Sequence, residues 1–231
     1  MRGLGHLTID DFPVVTGVVS CLAKLTFPNL LSCLLSEIGT DSWNLHVAQF
    51  LRRHPTITHL SLESAPKLEG PIAEGDLLPK LQYYCGDLKD LRFFSTHGLV
   101  AVRITWNVQL QSLVERLAAQ TGPNLTGLYI DLLSVADFPG VLIHLSTHMP
   151  HLEKLKLRWW EGSISGVQAI IDHITAYLPQ FERLAYLVVN FAHRDDVVID
   201  SDSQRRTFQA WTNVCSKLRG CCIGKASGYP T

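Results

Sequence analysis

Residues 150–157 read PHLEKLKL, and the fold depends on the pattern in this stretch. A proline stands two positions before Leu152, and further apolar residues follow at Leu155 and Leu157. The spacing is therefore apolar, two others, apolar, one other, apolar. Alternating apolar positions predict a short strand with one buried face. Proline disfavours helical geometry in the residue before it, so it marks the point where a helix ends and the next strand follows.

The same spacing recurs along the chain. When each motif is numbered from the residue two positions before its first apolar residue, the starts are 2, 28, 55, 79, 97, 123, 150, 182 and 216. The intervals run from 18 to 34 residues with a mean of about 27, and leucine-rich repeats have periods of about 20 to 29 residues. The eighth start is ambiguous by three residues, because Phe181 after Pro179 also fits as a first apolar position.

Segments with helical periodicity lie between these motifs. They end before Pro123 and Pro179, and further helices are predicted at about 42–53, 134–148 and 203–214. The 18-residue interval leaves no room for a full helix, so less regular links are expected there, at 87–96, and at 64–78.

A repeated strand and helix stack into a parallel sheet with helices on its outer side, because no single unit buries its own apolar face. We therefore predict an α/β fold, an irregular leucine-rich-repeat solenoid (horseshoe) with a concave parallel β-sheet and convex helices. The prediction is a single domain over 1–231 with about nine irregular repeats. It includes an exposed acidic loop at 191–206 and a flexible tail at 225–231.

Composition excludes several classes of protein. With 231 residues and 46% hydrophobic content, the chain has enough apolar side chains for a continuous core. The 20 Lys and Arg against 21 Asp and Glu give a net charge of -1, so we expect no nucleic-acid partner and no membrane partner. The six cysteines are unevenly placed and typical of reduced thiols, and the first residues lack a signal-peptide pattern. The expected location is intracellular, either cytoplasmic or nuclear.

Catalytic motifs fail at specific residues. The glycines of the segment 220–225 are separated by three residues, where a phosphate-binding loop needs four. In the segment 162–166, Ile164 stands where a nucleophile elbow needs serine. We therefore predict that the chain is not an enzyme and takes no cofactor.

Two histidines of the chain have the spacing of metal ligands. His144 and His148 are four residues apart on a predicted helix, and His151 follows them. This spacing places two imidazoles on one helix face, as in zinc sites. Leu145 occupies the position where the zinc-protease motif has its glutamate. We therefore predict no metal site and expect the histidines to be polar surface groups. Zinc binding is the alternative.

Strand alternation predicts a concave binding face. Where Leu155 and Leu157 point inward, their neighbours point outward, and the same count places Cys85 and Tyr186 outward. Aromatic and arginine residues on a broad face suit protein recognition. The predicted binding residues are His59, Glu63, Tyr83, Asp87, Arg103, Tyr129, Asp131, Lys154, Lys156 and Arg158. The last three are like charges on one strand, so an acidic partner segment is expected to lie across them.

The chain resembles a known family in several phrases. These are FPNL at 27–30, THLSL at 58–62, LPKLQYY at 78–84, VRITW at 102–106, and the stretch from Trp211 to Cys221. Together they are similar to the irregular leucine-rich-repeat region of fungal F-box proteins of the basidiomycete type. In that family an N-terminal F-box docks a cullin-based ubiquitin ligase, and the repeats recognise the substrate.

The resemblance implies a protein partner or substrate on the concave face. No Leu-Pro-rich F-box segment precedes the first repeat in this sequence, so cullin-ligase docking is not expected of these residues. The predicted function is a protein-protein recognition module, with the substrate-binding repeats of an F-box type ubiquitin ligase adaptor as its specific form. The alternative is a truncated structural fragment with no independent activity.

Overall fold

The computed structural model describes residues 4–9, 21, 24–36, 43–63, 77–104, 110–132, 138–159, 165–191 and 201–225. These residues form nine strands and six helices. The strands are β1 His6–Ile9, β2 Ser32–Ser36, β3 His59–Glu63, β4 Tyr83–Gly86, β5 Ala101–Ile104, β6 Gly127–Leu132, β7 Lys154–Trp159, β8 Tyr186–Phe191 and β9 Gly220–Lys225. The helices are α1 Trp43–Arg53, α2 Leu88–Leu91, α3 Leu110–Thr121, α4 Phe138–His148, α5 Ser165–Tyr177 and α6 Ser201–Val214.

The chain divides into two compact units, Met1–Thr105 and Trp106–Thr231. In the first unit β1 to β5 hydrogen-bond in chain order, and every pair is parallel. In the second unit β6 to β9 also pair in chain order and in parallel, with one helix between each strand and the next. Parallel neighbours need such a crossover connection, which the helices provide.

A recurring hydrogen-bond pattern joins successive repeats. The carbonyl of Thr126, just before β6, accepts the N–H groups of Glu153 and Lys154, both at 2.9 Å. The carbonyl of Glu153 in turn accepts those of Ala185 and Tyr186 at 2.9 and 3.0 Å. The same pair of bonds recurs between β8 and β9 and between every bonded pair of strands in the first unit. The repeats therefore share one backbone geometry and not only one apolar spacing.

The core is built from the apolar positions of the motif. Leu152, Leu155 and Leu157 are each at most 1% exposed, and the counterparts of Leu155 and Leu157 in β6 and β8 pair with them in register. Helices complete the core from the other side. Trp211 of α6 is fully buried, and its indole N–H donates to Thr175 Oγ1 of α5 at 2.8 Å.

The parallel α/β architecture predicted from the motif is confirmed, and a strand lies at each of the nine motif positions. Leu155 pairs with Leu187, which resolves the eighth start in favour of 182. In the shortest repeat, α2 has only four residues, as the 18-residue interval requires. The finer prediction of a single leucine-rich-repeat domain stays a prediction.

The acidic loop predicted at 191–206 is wrong at both ends. Phe191 closes β8 and α6 begins at Ser201, while 192–200 lie outside the described residues. Asp202 occupies the first turn of α6, where a carboxylate is favoured by the positive end of the helix dipole. Asp202 therefore marks a helix start. Of the predicted tail, Lys225 ends β9 and 226–231 are likewise outside the described residues.

Candidate functional site

The second unit presents a set of outward side chains around its strand β7, which we call the lysine face. It consists of Tyr129, Lys154, Lys156, Tyr186 and Val188. These residues alternate along their strands with buried leucine, isoleucine and valine, so the core fixes the direction in which they point. The register sets their spacing, because neighbouring strands lie about 4.8 Å apart.

Side chains that pair in register across neighbouring strands form a row. The first row of the lysine face has glycine, and so no side chain, at both ends. Lys154 pairs in register with Gly127 on β6 and with Tyr186 on β8, and Tyr186 pairs with Gly220 on β9. The two glycines place no side chains beside this pair. Tyr186 is 47% exposed, and a Cβ added at Gly220 would lie 3.3 Å from its Cδ1 atom. The tyrosine ring therefore lies next to the Gly220 backbone and leaves Lys154 accessible.

The second row is less exposed to solvent than the first. Tyr129, Lys156, Val188 and Cys222 follow one another in register across β6 to β9. The first three are half-buried and Cys222 is exposed. Together the two rows set two ammonium groups between two tyrosines, with an apolar valine beside them. This surface suits a partner that offers both carboxylates and apolar contacts.

The third row is an ion pair. Arg158 Nε donates to Asp131 Oδ1 at 2.9 Å and Nη2 donates to Oδ2 at 2.7 Å, a bidentate arrangement. The two side chains are only 12% and 10% exposed. Both residues were predicted as outward binding residues, but here they bind each other. Strand β7 carries the three like charges as expected, but Asp131 pairs with Arg158, so the charge of the arginine is already balanced.

A second ion pair stands beside the first row. Arg183 Nη2 donates to Glu153 Oε1 at 2.6 Å, and both side chains are well exposed. Glu153 directly precedes Lys154 in the chain, yet its charge is matched by Arg183. Around β7, Lys154, Lys156 and Arg158 stand against the single negative charge of Asp131, so this part of the sheet is positively charged overall.

The first unit holds the other predicted binding residues. His59 and Tyr83 are neighbours in register, with ring centroids 6.0 Å apart, so the structure brings these two predicted residues together. Arg103 is half-buried and pairs in register with Cys85. Glu63 closes β3, and its side chain lies outside the described part of the structure.

Two predicted outward positions of the first unit differ in the structure. Asp87 lies beyond β4 and caps α2, where its Oδ1 accepts the N–H of Lys89 at 2.8 Å. Cys85 is 1% exposed. Its register partners are the outward residues Ser61 and Arg103, so Cys85 lies on the predicted side of β4 but is not exposed there.

Buried thiols on these strands are poor nucleophiles. Burial raises the pKa of Cys33 to about 12. Burial, with a smaller contribution from Cys222, raises the pKa of Cys221 to about 11. At neutral pH both thiols stay protonated, whereas the thiolate is the reactive form. These cysteines behave as small core residues.

Among the described residues, a group of side chains with ligand atoms suitable for a metal lies on two helices. Glu115 of α3 and His144 and His148 of α4 each offer one ligand atom, and these three atoms lie within 4.8 Å of one another. The two histidines were considered as zinc ligands from their spacing. Glu115 was missed, because it lies 29 residues earlier on the neighbouring helix.

The Asp131–Arg158 pair was also not predicted from the sequence, although the spacing of the two residues indicates it. The two residues are 27 positions apart, which is the interval between the motif starts at 123 and 150. Residues one repeat apart are register partners. Opposite charges at that separation therefore predict a cross-strand ion pair.

Comparison with models of known protein families gives no match, and comparison with curated proteins gives no significant match. In the described part of the chain, the helices are too short or too polar to cross a bilayer.

Proposed function

We propose that the chain is a non-enzymatic protein-recognition module, an irregular leucine-rich-repeat solenoid that binds a protein partner through the lysine face. The observation that carries this proposal is the first row of that face. Lys154 and Tyr186 stand side by side between two glycines on rigid, paired strands. Aromatic anchors held in place by a scaffold lose little conformational entropy on binding, and they dominate the energy of many protein interfaces.

The partner of this proposal is a segment that carries carboxylates next to apolar side chains. Carboxylates would pair with the ammonium groups of Lys154 and Lys156, and apolar side chains would pack on Tyr186 and Val188. Because Asp131 already neutralises Arg158, the arginine positions the surface and does not bind the partner. The two lysines then supply the electrostatic attraction.

We further propose the substrate-binding repeats of an F-box type ubiquitin ligase adaptor as the specific role. The resemblance of the motif phrases to that family supports it, as do the recurring backbone hydrogen bonds between repeats. Cys33, Cys85 and Cys215 are buried as thiols and not as disulfides, which suits a reducing, intracellular compartment. The alternative, a structural fragment without a partner, predicts that no protein depends on the lysine face.

Affinity capture with a charge-reversed control tests the proposal. The full chain and its Lys154→Glu, Lys156→Glu variant are used to capture proteins from a lysate of the source organism, and mass spectrometry identifies what is bound. A matched control, Arg116→Glu with Arg205→Glu, changes the formal charge by the same amount at exposed positions of α3 and α6. The captured protein is then purified, and its Kd is measured for all three chains.

We expect the lysine variant to bind the partner more than about tenfold more weakly. Each reversed charge costs on the order of 1 kcal/mol at an interface, and about 1.4 kcal/mol corresponds to a factor of ten in Kd. The helix control should bind as the wild type does. Equal Kd values for all three chains across a salt series would refute the lysine face as the binding surface. Capture of no protein would favour the structural fragment.

A further inference from the structure

We propose that Glu115, His144 and His148 form a Zn²⁺ site that links the neighbouring helices α3 and α4. The site would use two imidazole nitrogens and one carboxylate oxygen, with water in the remaining position. It lies on the helices and shares no residue with the lysine face. The proposal is therefore independent of the proposed function.

The histidines are already arranged as a pair. They lie four residues apart on α4, one helical turn, and their rings are stacked with centroids 5.9 Å apart and an interplanar angle of 5°. Parallel rings at this separation direct nitrogens toward the same region beside the helix. This spacing is the one that lets two imidazoles of a single helix bind one zinc ion.

Glu115 adds the third ligand from the adjacent helix. Its Oε1 atom lies 3.7 Å from His144 Nδ1, and all three ligand atoms lie within 4.8 Å of one another. Zinc–nitrogen and zinc–oxygen bonds of about 2.0–2.2 Å in a tetrahedron separate ligand atoms by roughly 3.3–3.6 Å. The cluster must contract by no more than about 1.5 Å, which side-chain rotation of the exposed Glu115 and His148 supplies.

The chemistry of the donors selects the class of ion. Imidazole nitrogen favours zinc and other late transition metals over magnesium and calcium, which prefer oxygen ligands. The carboxylate of Glu115 offsets half of the charge of a divalent ion. Many zinc sites likewise have three protein ligands and one position open to water.

Zinc binding would connect helices of successive repeats. Glu115 lies on the helix that precedes β6, and the two histidines lie on the helix that follows it. A ligand that binds only the folded state stabilises it in proportion to the logarithm of its concentration relative to Kd. We expect saturating Zn²⁺ to raise the Tm of the wild-type chain by about 5 °C.

Isothermal titration of the untagged, reduced full chain with ZnCl₂ tests the site. The variants are Glu115→Gln and His148→Ala, both at exposed positions. His6→Ala and Glu182→Gln are matched controls, since both positions are exposed and lie on other elements. Circular dichroism checks that every variant folds. Co²⁺ serves as a second probe, because thiolate ligands give intense near-ultraviolet charge-transfer bands and histidine and carboxylate ligands do not.

The proposal expects one Zn²⁺ per wild-type chain, with binding weakened more than about tenfold in Glu115→Gln and in His148→Ala. The controls should bind as the wild type does, and the Co²⁺ spectrum should lack thiolate bands. Binding that persists unchanged in both site variants would overturn the proposal. So would a thiolate spectrum, or the absence of stoichiometric binding to the wild type.

Discussion

The Asp131–Arg158 ion pair gives the sharpest prediction about stability. Arg158→Met removes the guanidinium and leaves a carboxylate that is 10% exposed without its bidentate partner. Asp131→Leu removes the carboxylate and leaves the guanidinium in the same environment. Most surface ion pairs contribute less than about 1 kcal/mol, but this pair is largely removed from water.

The expected magnitude follows from that burial. Removing one member of a buried pair costs about 3–5 kcal/mol, because the remaining charge has lost its compensation. Both side chains keep some exposure, so we expect about 3 kcal/mol for each single variant. Replacing both residues removes both charges of the pair, and the two apolar side chains would lie side by side across β6 and β7. The double variant should therefore lie within about 1 kcal/mol of the wild type.

Urea unfolding of the four chains completes a double-mutant cycle. Far-ultraviolet circular dichroism follows the transition, and the m-value checks that the unfolded states are comparable. The cycle should yield a coupling of several kcal/mol between Asp131 and Arg158. Single variants that each shift the free energy of unfolding by less than 0.5 kcal/mol would refute the reasoning, since the pair would then behave as an exposed one.

Two further predictions concern the core and a buried histidine. Leu155→Ala should lower the free energy of unfolding by about 2–5 kcal/mol, because this side chain on β7 is only 1% exposed. Lys154→Ala should change it by no more than about 0.5 kcal/mol. Equal urea midpoints for the two variants would contradict the alternation. His54 is fully buried, its Nε2 accepts the N–H of Phe27 at 2.8 Å, and its Nδ1 therefore donates to the carbonyl of Phe50 at 2.7 Å. Burial lowers the pKa of His54 below 6.5, so folding favours the neutral ring, and its stabilisation should be complete above pH 6.5 and decline as the pH falls toward the lowered value. The difference in unfolding free energy between wild type and His54→Phe should shrink from pH 7.5 to pH 5, and a difference independent of pH would contradict this role.

The sequence predicted the strands well because their cause is local. Five of the nine motifs start with a helix-ending proline, and the apolar spacing marks the strand. Both signals lie within a few residues of the strand that they produce. The interval of 18 residues likewise predicted that one repeat lacks room for a full helix, and α2 has four residues. Asp202 was misassigned to a loop because an acidic residue also suits the first turn of a helix.

The candidate site was predicted less completely because its contacts are not local. Alternation placed both Asp131 and Arg158 outward, which is the correct side, but their pairing depends on strand register across 27 residues. Glu115 and His144 come together only through the relative position of two helices, and periodicity within one helix carries no information about that position. Cys85 lies in the predicted outward row beside Ser61 and Arg103, but alternation within one strand does not show that an outward residue is buried.

Covalent labelling of lysines tests the proposed binding surface most directly. The full chain, alone and saturated with the purified captured partner, is acetylated under limiting reagent, and mass spectrometry reports the extent of modification at each lysine. Lys89 and Lys217 are exposed and lie off the lysine face, so they serve as internal controls. We expect the partner to reduce the acetylation of Lys154 and Lys156 several-fold and to leave the acetylation of Lys89 and Lys217 unchanged. Unchanged labelling of Lys154 and Lys156 in the saturated complex would contradict it.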